Sequence, residues 1–243
     1  ITGASGYQPL AVITNTTVAT GATVYTAPGQ GNTVPLSNAD EQTVELPVPA
    51  LAVTKMCVTM NTSNAAGGGY TLTLRQTEAD VGTGITVALS TGIGRTCVAE
   101  NVAYTAGQTV SFKIVNANAA APTGTISNIE IDTTLTTAKA ILLFPKGNRV
   151  ITASQTRYTQ QWINAALDSS ASGAASSSPI PRACTVQNFR VYQKTAPATN
   201  TTTITINQNG TPSAVTLNAT TASGNYAVLS DTTHSFAATL NDW

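Results

Sequence analysis

Five short blocks of this sequence occur twice, in the same order. Pro47-Val48-Pro49-Ala50 returns as Pro179-Ile180-Pro181-Arg182-Ala183, and Val53-Thr54-Lys55-Met56-Cys57-Val58 returns 133 residues later as Val186-Gln187-Asn188-Phe189-Arg190-Val191. Thr71-Leu72-Thr73-Leu74-Arg75-Gln76 is matched by Thr203-Ile204-Thr205-Ile206-Asn207-Gln208 at an offset of 132. Val87-Ala88-Leu89 is matched by Val215-Thr216-Leu217 at 128, and Thr109-Val110-Ser111-Phe112 by Thr233-His234-Ser235-Phe236 at 124. A steadily falling offset is what fixed strands joined by shorter loops would produce. One match arises by chance; several in one order point to a tandem duplication, so the unit that folds is about half of the 243 residues.

Within the repeated blocks Leu72 and Leu74, like Ile204 and Ile206, alternate with Thr71, Thr73 and Arg75 or with Thr203 and Thr205. A period of two puts the apolar residues on one face and the polar residues on the other, which describes half-buried antiparallel strands. The wet face is mostly Thr, whose β-branch suits an exposed strand. Such blocks recur roughly every 10–15 residues between Gly, Asn, Pro and Ser turns, the pattern of a sandwich or jelly roll. Helix is scarce: the one candidate, 159–167, is short and runs into a Ser/Ala/Gly loop at 169–178. The fold class expected is all-β, with two tandem antiparallel β-sandwich domains of jelly-roll kind.

The blocks predict an N-terminal arm or linker at 1–21, a first module at 22–132, a linker at 133–138 and a second module at 139–243. The first core should include Met56, Val58, Leu72, Leu74, Val87 and Leu89, the second Phe189, Val191, Ile204, Ile206, Val215 and Leu217. The first module closes with strands at 110–115 and 125–131. The second reaches a counterpart of the former at 234–239 and has none of the latter. An open edge over an uncovered apolar face is an aggregation hazard. The expectation is that the sequence is a fragment, or that another segment completes the second module by β-augmentation. Leu10-Ala11-Val12-Ile13, outside both modules, is a candidate donor.

Charge and residue inventory then exclude several functions. Lys and Arg number 11, Asp and Glu 11, and charged residues make up 9% of the chain, against about 25% in an ordinary soluble protein. A neutral surface cannot release counterions from phosphates, so nucleic acid is not an expected partner. With 42% hydrophobic residues, Thr, Ser, Asn and Gly have replaced charge without enlarging the core, and the chain should be ordered. The longest apolar run, Ala140-Ile141-Leu142-Leu143-Phe144, has the length of a strand, so no membrane partner is expected. No signal peptide is visible at the N-terminus.

Catalytic and metal chemistry lacks its usual residues. Cys57, Cys97 and Cys184 are far apart and form no CxxC pair, so no zinc site is expected. A Ser-His-Asp arrangement would have to use the single histidine, His234, in the polar stretch Asp231-Thr232-Thr233-His234-Ser235, where an ordinary surface histidine is the better reading. Glu78, Asp80, Glu100 and Glu130 could in principle supply a glycosidase carboxylate pair. Glu78 and Asp80 adjoin the turn residues Gly82 and Gly84, which suits a solvated loop better than a cleft. Ala66-Gly67-Gly68-Gly69 lacks the Lys-Ser/Thr of a phosphate loop and reads as a hairpin turn. The chain is therefore not expected to be an enzyme and is expected to need no cofactor. Three thiols cannot all pair in one chain. Cys57, between inward Met56 and Val58, should face outward, as a free thiol or in a disulfide to a partner. The sequons at Asn15, Asn61, Asn200, Asn209 and Asn218 match the frequency that so much Thr produces by chance.

Each module also has an apolar or aromatic strand ending in Pro (Val24-Tyr25-Thr26-Ala27-Pro28; Leu142-Leu143-Phe144-Pro145) and a Pro-x-Pro turn into a Val-x-x-Met/Phe-x-Val strand. A Thr-Leu-Thr-Leu or Thr-Ile-Thr-Ile strand follows. The first continues with Ala106-Gly107-Gln108-Thr109-Val110-Ser111-Phe112 and Ile126-Ser127-Asn128-Ile129-Glu130-Ile131. This pattern, over both modules, resembles the Thr/Ala/Gly-rich jelly-roll modules of tailed-bacteriophage virions, found in head decoration or cement proteins and in head or tail fibres. The resemblance implies a structural role at a virion surface, through contact with copies of itself, as a trimer, and with a major capsid or other virion protein. The second expectation is a carbohydrate- or receptor-binding module of a phage fibre or secreted bacterial protein, with a host surface glycan as ligand. Sugar binders stack aromatic rings on the sugar, and aromatics are only 5% of this chain. Tyr70, Tyr104, Trp162, Tyr192 and Tyr226 are the candidates, with Trp243 beyond them. Tyr70 and Tyr104 lie at or in strands and suit packing better, since large aromatics dominate burial.

Overall fold

The computed structural model describes residues 7–29, 39–61, 69–88, 93–117, 125–135 and 183–239. The described residues are strands and their connecting turns, with single 3-10 turns at Glu41–Thr43 and Thr221–Ser223. The chain is all-β and divides into two compact units, 1–147 and 148–243.

In the first unit the strands are β1 (Tyr7–Thr16), β2 (Thr23–Thr26), β3 (Leu46–Pro47), β4 (Leu51–Met60), β5 (Gly69–Gln76), β6 (Ala79–Ala88), β7 (Gly94–Tyr104), β8 (Thr109–Asn116) and β9 (Ile126–Leu135). They make two antiparallel sheets, β1-β9-β4-β7 and β2-β8-β5-β6, with β3 also beside β8. The inward residues of both sheets meet in one core. Met56 and Val58 of β4, Leu72 and Leu74 of β5, Phe112 and Ile114 of β8, and Ile129 and Ile131 of β9 are all fully buried. Alternation predicts each of these, because one face of each sheet is dry. Between Val53 and Lys55 strand β4 carries an extra residue against β9, and the buried set shifts from Leu51 and Val53 to Met56, Val58 and Met60.

Where it is described, at residues 7–21, the segment expected to be an arm is not separate. β1 pairs along β9, and Leu10 and Val12 lie in the first core. The reason is that β9 would otherwise be a bare edge. Leu10-Ala11-Val12-Ile13 is therefore engaged in its own unit and does not donate to the second. β9 also runs on to Leu135, into the segment expected to be a linker. At the other end of the sandwich, buried Asn116 donates from its amide to the carbonyls of Val18 (2.7 Å) and Ala19 (3.1 Å), fixing the turn before β2.

The second unit contains β10 (Cys184–Gln193), β11 (Thr202–Gln208), β12 (Thr211–Ala219) and β13 (Ala227–Ala238). β10 pairs with β13 and β11 with β12, as β4 pairs with β7 and β5 with β6. β10 also changes register, between Gln187 and Phe189, one residue further along at the 133 offset than the change between Val53 and Lys55 in β4.

Register corrects two of the expected matches. Leu217 stands opposite Ile204 as Ile85 stands opposite Leu72, so the offset stays at 132 in this strand and does not fall to 128. Thr233-His234-Ser235-Phe236 lies in β13 beside β10, and thus takes the place of β7, not of β8. Thr and Ser around one inward aromatic is a pattern that any Thr-rich strand can match. Among the described residues, the second unit has no counterpart of β8 or β9.

Among the described residues its core is thin. Val186, Val215, Leu217, Ala219 and Ala238 are buried, but Phe189, Val191, Ile204 and Ile206, expected in the core, are only half-buried. In the first unit Met56, Val58, Leu72 and Leu74 are covered because β9 and β8 flank them. The side chain of Val87, Leu89 and the segments 159–167 and 169–178 fall outside the described residues.

Candidate functional site

Two of the aromatic candidates, Tyr70 and Tyr104, are buried in the first unit and present no stacking surface. Tyr70 is fully buried between the sheets of the first unit, and its hydroxyl accepts from Val18 N–H at 3.4 Å. Tyr104 is 3% exposed and donates its hydroxyl to the Arg75 carbonyl at 2.8 Å. Burial first, and then the charge of Glu100, raises its pKa. Neither ring can stack on a sugar, because packing on the apolar core claims both. Tyr192 is half-buried on β10. Tyr226 is 42% exposed at a backbone φ of +53°, its N–H donating to the Lys194 carbonyl at 3.0 Å. Trp162 and Trp243 lie outside the described residues.

The most concentrated chemistry lies on the outer face of β5 and β8. Arg75 (β5) donates from Nε to both Glu41 carboxylate oxygens at 3.0 and 3.1 Å and from Nη2 to Glu41 Oε2 at 2.5 Å. Its Nη1 meets Asp80 Oδ1 at 2.5 Å, and Nη2 also reaches the Glu78 carbonyl. Lys113 (β8) pairs with Asp80 at 2.6 Å, and Ser111 donates to Glu41 at 2.5 Å. The Tyr25 ring lies 5.7 Å from the Arg75 guanidinium. The hydrogen bonds that Arg75 donates to Glu41 lead, against the cost of burial, in raising the Arg75 pKa, with Asp80 adding to it. At Asp80 burial works to raise the pKa, but Lys113 and Arg75 outweigh it and lower the value. A planar, forked cation is what two carboxylates from different segments require. The cluster ties the 3-10 turn at 41–43 and the β5–β6 turn to the sheet.

The other carboxylates considered for catalysis are also occupied. Glu130 pairs with Arg95 and accepts from the Asn128 amide at 3.0 Å. Lys55 and Asp132 form a further pair at 3.5 Å on the same outer face of β4 and β9. Glu100 is 7% exposed, crosses to the opposite sheet and accepts from the backbone N–H groups of Thr83 (2.7 Å) and Gly84 (3.3 Å) in β6. His234 is exposed, as expected, and its Nδ1 lies 3.0 Å from both oxygens of Asp231. Asp231 accepts from the N–H groups of Thr216 (3.1 Å), Thr233 (3.2 Å) and His234 (3.1 Å). Burial works to raise the Asp231 pKa, but these N–H groups and the His234 ring outweigh it and hold the carboxyl well below the usual range. Among the described residues no cluster of three or more His, Cys, Asp or Glu could hold a metal ion. No helix among them is long and apolar enough to cross a membrane.

Cys57 is not free. It stands directly opposite Cys97 across β4 and β7, with Cα atoms 4.1 Å apart, and the two form a disulfide. Cys57 faces outward from the core as alternation requires, yet it is covered, while Cys97 and the free Cys184 are exposed. The pairing depends on strand register, which spacing in the sequence does not reveal. Paired charges join strands within each sheet of the first unit, and Glu100 links the two sheets through backbone N–H groups, leaving Thr-rich outer faces. No protein-family model, curated protein or solved structure matches this chain.

Proposed function

We propose that the chain is a structural protein of a tailed-bacteriophage virion, a head decoration or cement protein or a fibre component, acting by protein–protein contact. The observation that carries this reading is the use made of a small complement of charge. Lys55, Arg75, Arg95 and Lys113 each meet a carboxylate of their own unit. The remaining outer surface is rich in Thr and Asn, including the Thr203–Asn218 and Thr205–Thr216 pairs across β11 and β12. Hydroxyls and amides cost less to desolvate than charges, and stable interfaces are depleted of charge at their centres. Such a surface suits a chain covered by neighbours: copies of itself, as a trimer, and a capsid or other virion protein. The test is solution mass together with the position of the chain in intact particles. A stable monomer burying less than about 800 Å² in any contact would overturn the reading. A glycan-binding module is the second reading, favoured by the exposed ring of Tyr226; loss of glycan binding on Tyr226→Ala would support it.

A further inference from the structure

Cys57 and Cys97 meet on the outer face of their sheet, away from the core. The neighbours of Cys57 in sequence, Met56 and Val58, are fully buried on the other face. β4 and β7 pair from Leu51 with Tyr104 to Met60 with Gly94, so backbone pairing continues on both sides of the bond, and β9 pairs along the other edge of β4. These contacts set the register, and the register places the two sulfurs opposite each other. Groups held this way react with an effective concentration that separate thiols do not reach. The two sulfurs differ in access. Cys57 lies on β4, between β7 and β9, and is 1% exposed, whereas Cys97 is open to solvent.

We propose that this disulfide is a reversible fastening that closes on the already folded chain and exchanges through Cys97, so that the redox poise of the surroundings selects between two native forms of the first unit. In closing, the Cys97 thiolate attacks one sulfur of a small-molecule disulfide and expels one small thiol. The Cys57 thiolate then attacks Cys97 Sγ and expels the second. The protons and the two electrons that the cysteines lose end on the two small thiols. In opening, an outside thiolate attacks Cys97 Sγ, Cys57 leaves as the thiolate, and a second thiol releases Cys97. The direction of attack follows from access, since only Cys97 can be reached while the strands are paired. Both forms keep the same strands and core, and the closed form unfolds less readily because the bond restricts the unfolded chain.

The test uses the full chain with Cys184→Ser, so that the exposed third thiol takes no part. Dithiothreitol without denaturant should open the bond, read as two alkylated cysteines after acid quenching and denaturation, where the untreated chain has none. The amide resonances of Leu72, Leu74 and Ile131 should keep their native positions in the open form. Glutathione disulfide should then close the bond again with no denaturant present. With Cys57→Ser added, the folded chain should take up one glutathione at Cys97; with Cys97→Ser instead, Cys57 should take up none until urea is added. Reduction that requires denaturant, collapse of those resonances to unfolded positions on reduction, or equal uptake at the two cysteines would overturn the proposal. Reduction and closure are measured with both cysteines intact, so they decide the matter even where a single-serine chain folds poorly.

Discussion

The Asp231 carboxylate accepts the N–H of Thr216 at 3.1 Å, and Thr216 occupies in its strand pair the place of Gly84, whose N–H is taken by Glu100. Gly84 precedes Ile85, the partner of Leu72, as Thr216 precedes Leu217, the partner of Ile204. In both units an acidic residue on the strand paired with β4 or β10 reaches to the other strand pair and holds the same backbone donor. A buried carboxylate needs such donors, since unpaired it would cost several kcal/mol or take up a proton. The arrangement survives a change of acid, Glu to Asp, because local register changes bring each carboxylate within reach of its donor.

Gly82 should tolerate no side chain. Its φ is +75°, and a Cβ there would lie 2.9 Å from the Glu100 carboxyl carbon and closer still to Oε2. Gly82→Ala should therefore cost about 2–4 kcal/mol, from backbone strain plus displacement of the clamp. Gly21→Ala, at φ +67° in open space, should show the strain alone, about 1 kcal/mol. Urea denaturation of the two variants checks the difference; equal losses would show that the carboxylate contact matters little.

Asp231 should make the second unit lose stability in strong acid. Its folded pKa lies below the ordinary aspartate value of about 3.9. Its contribution is thus complete above that unfolded value and disappears only as pH falls through the lower folded one. Asp231→Asn should destabilise the chain at neutral pH and flatten the acid limb of its stability curve, so that wild type and variant converge at the lowest pH. A carboxyl carbon titration that placed Asp231 at or above the ordinary value would contradict this.

Strand identity was legible wherever one face is dry. Leu72, Leu74, Met56 and Val58 follow from alternation alone, and so does the all-β class. What escaped depends on which strands lie side by side. The disulfide needs β4 against β7 in register, and 40 residues of intervening chain hide it. The run at Leu10 and Val12 looks like any free strand until β9 is seen to need a neighbour. Nothing in the sequence marks Glu100 or Asp231 as a clamp, because their partners are backbone N–H groups, which nearly every sequence position possesses. The one available signal was positional: each acid follows its alternating Thr strand at nearly the same distance.

Arg75 should matter more than its position on an outer face suggests. Glu41 is 7% exposed and Arg75 11% at the side chain, so their pair is largely sheltered from solvent. Glu41→Ala would leave the guanidinium with Asp80 as its carboxylate partner and should cost about 3 kcal/mol. Arg75→Lys should restore little, since an ammonium cannot reproduce the fork that serves Glu41 and Asp80 together. Thermal unfolding of both variants tests this, and a loss under about 0.5 kcal/mol would place the cluster among ordinary surface pairs.

Equivalent truncations should differ between units. Leu74→Ala removes a fully buried side chain and should cost about 2–5 kcal/mol. Ile206→Ala, half-buried in the thinner core, should cost about 1–2 kcal/mol. Equal losses would mean that the two cores are equally closed.

The Cys57–Cys97 disulfide should supply a large share of the first unit's stability. It joins residues 40 apart, and closing a loop of that length restricts the unfolded chain by about 4 kcal/mol in the chain-entropy account. Ordered strands gain nothing further from the bond, because β4 and β7 already pair on both sides of it. The double variant Cys57→Ser/Cys97→Ser should therefore keep the wild-type fold and lose about 2–4 kcal/mol in urea. Reduction of the wild type should lower stability by a similar amount and leave the variant unmoved. Alkylation of the denatured, unreduced chain gives the direct count: one modified cysteine, Cys184, is expected, and three would show that the bond does not form.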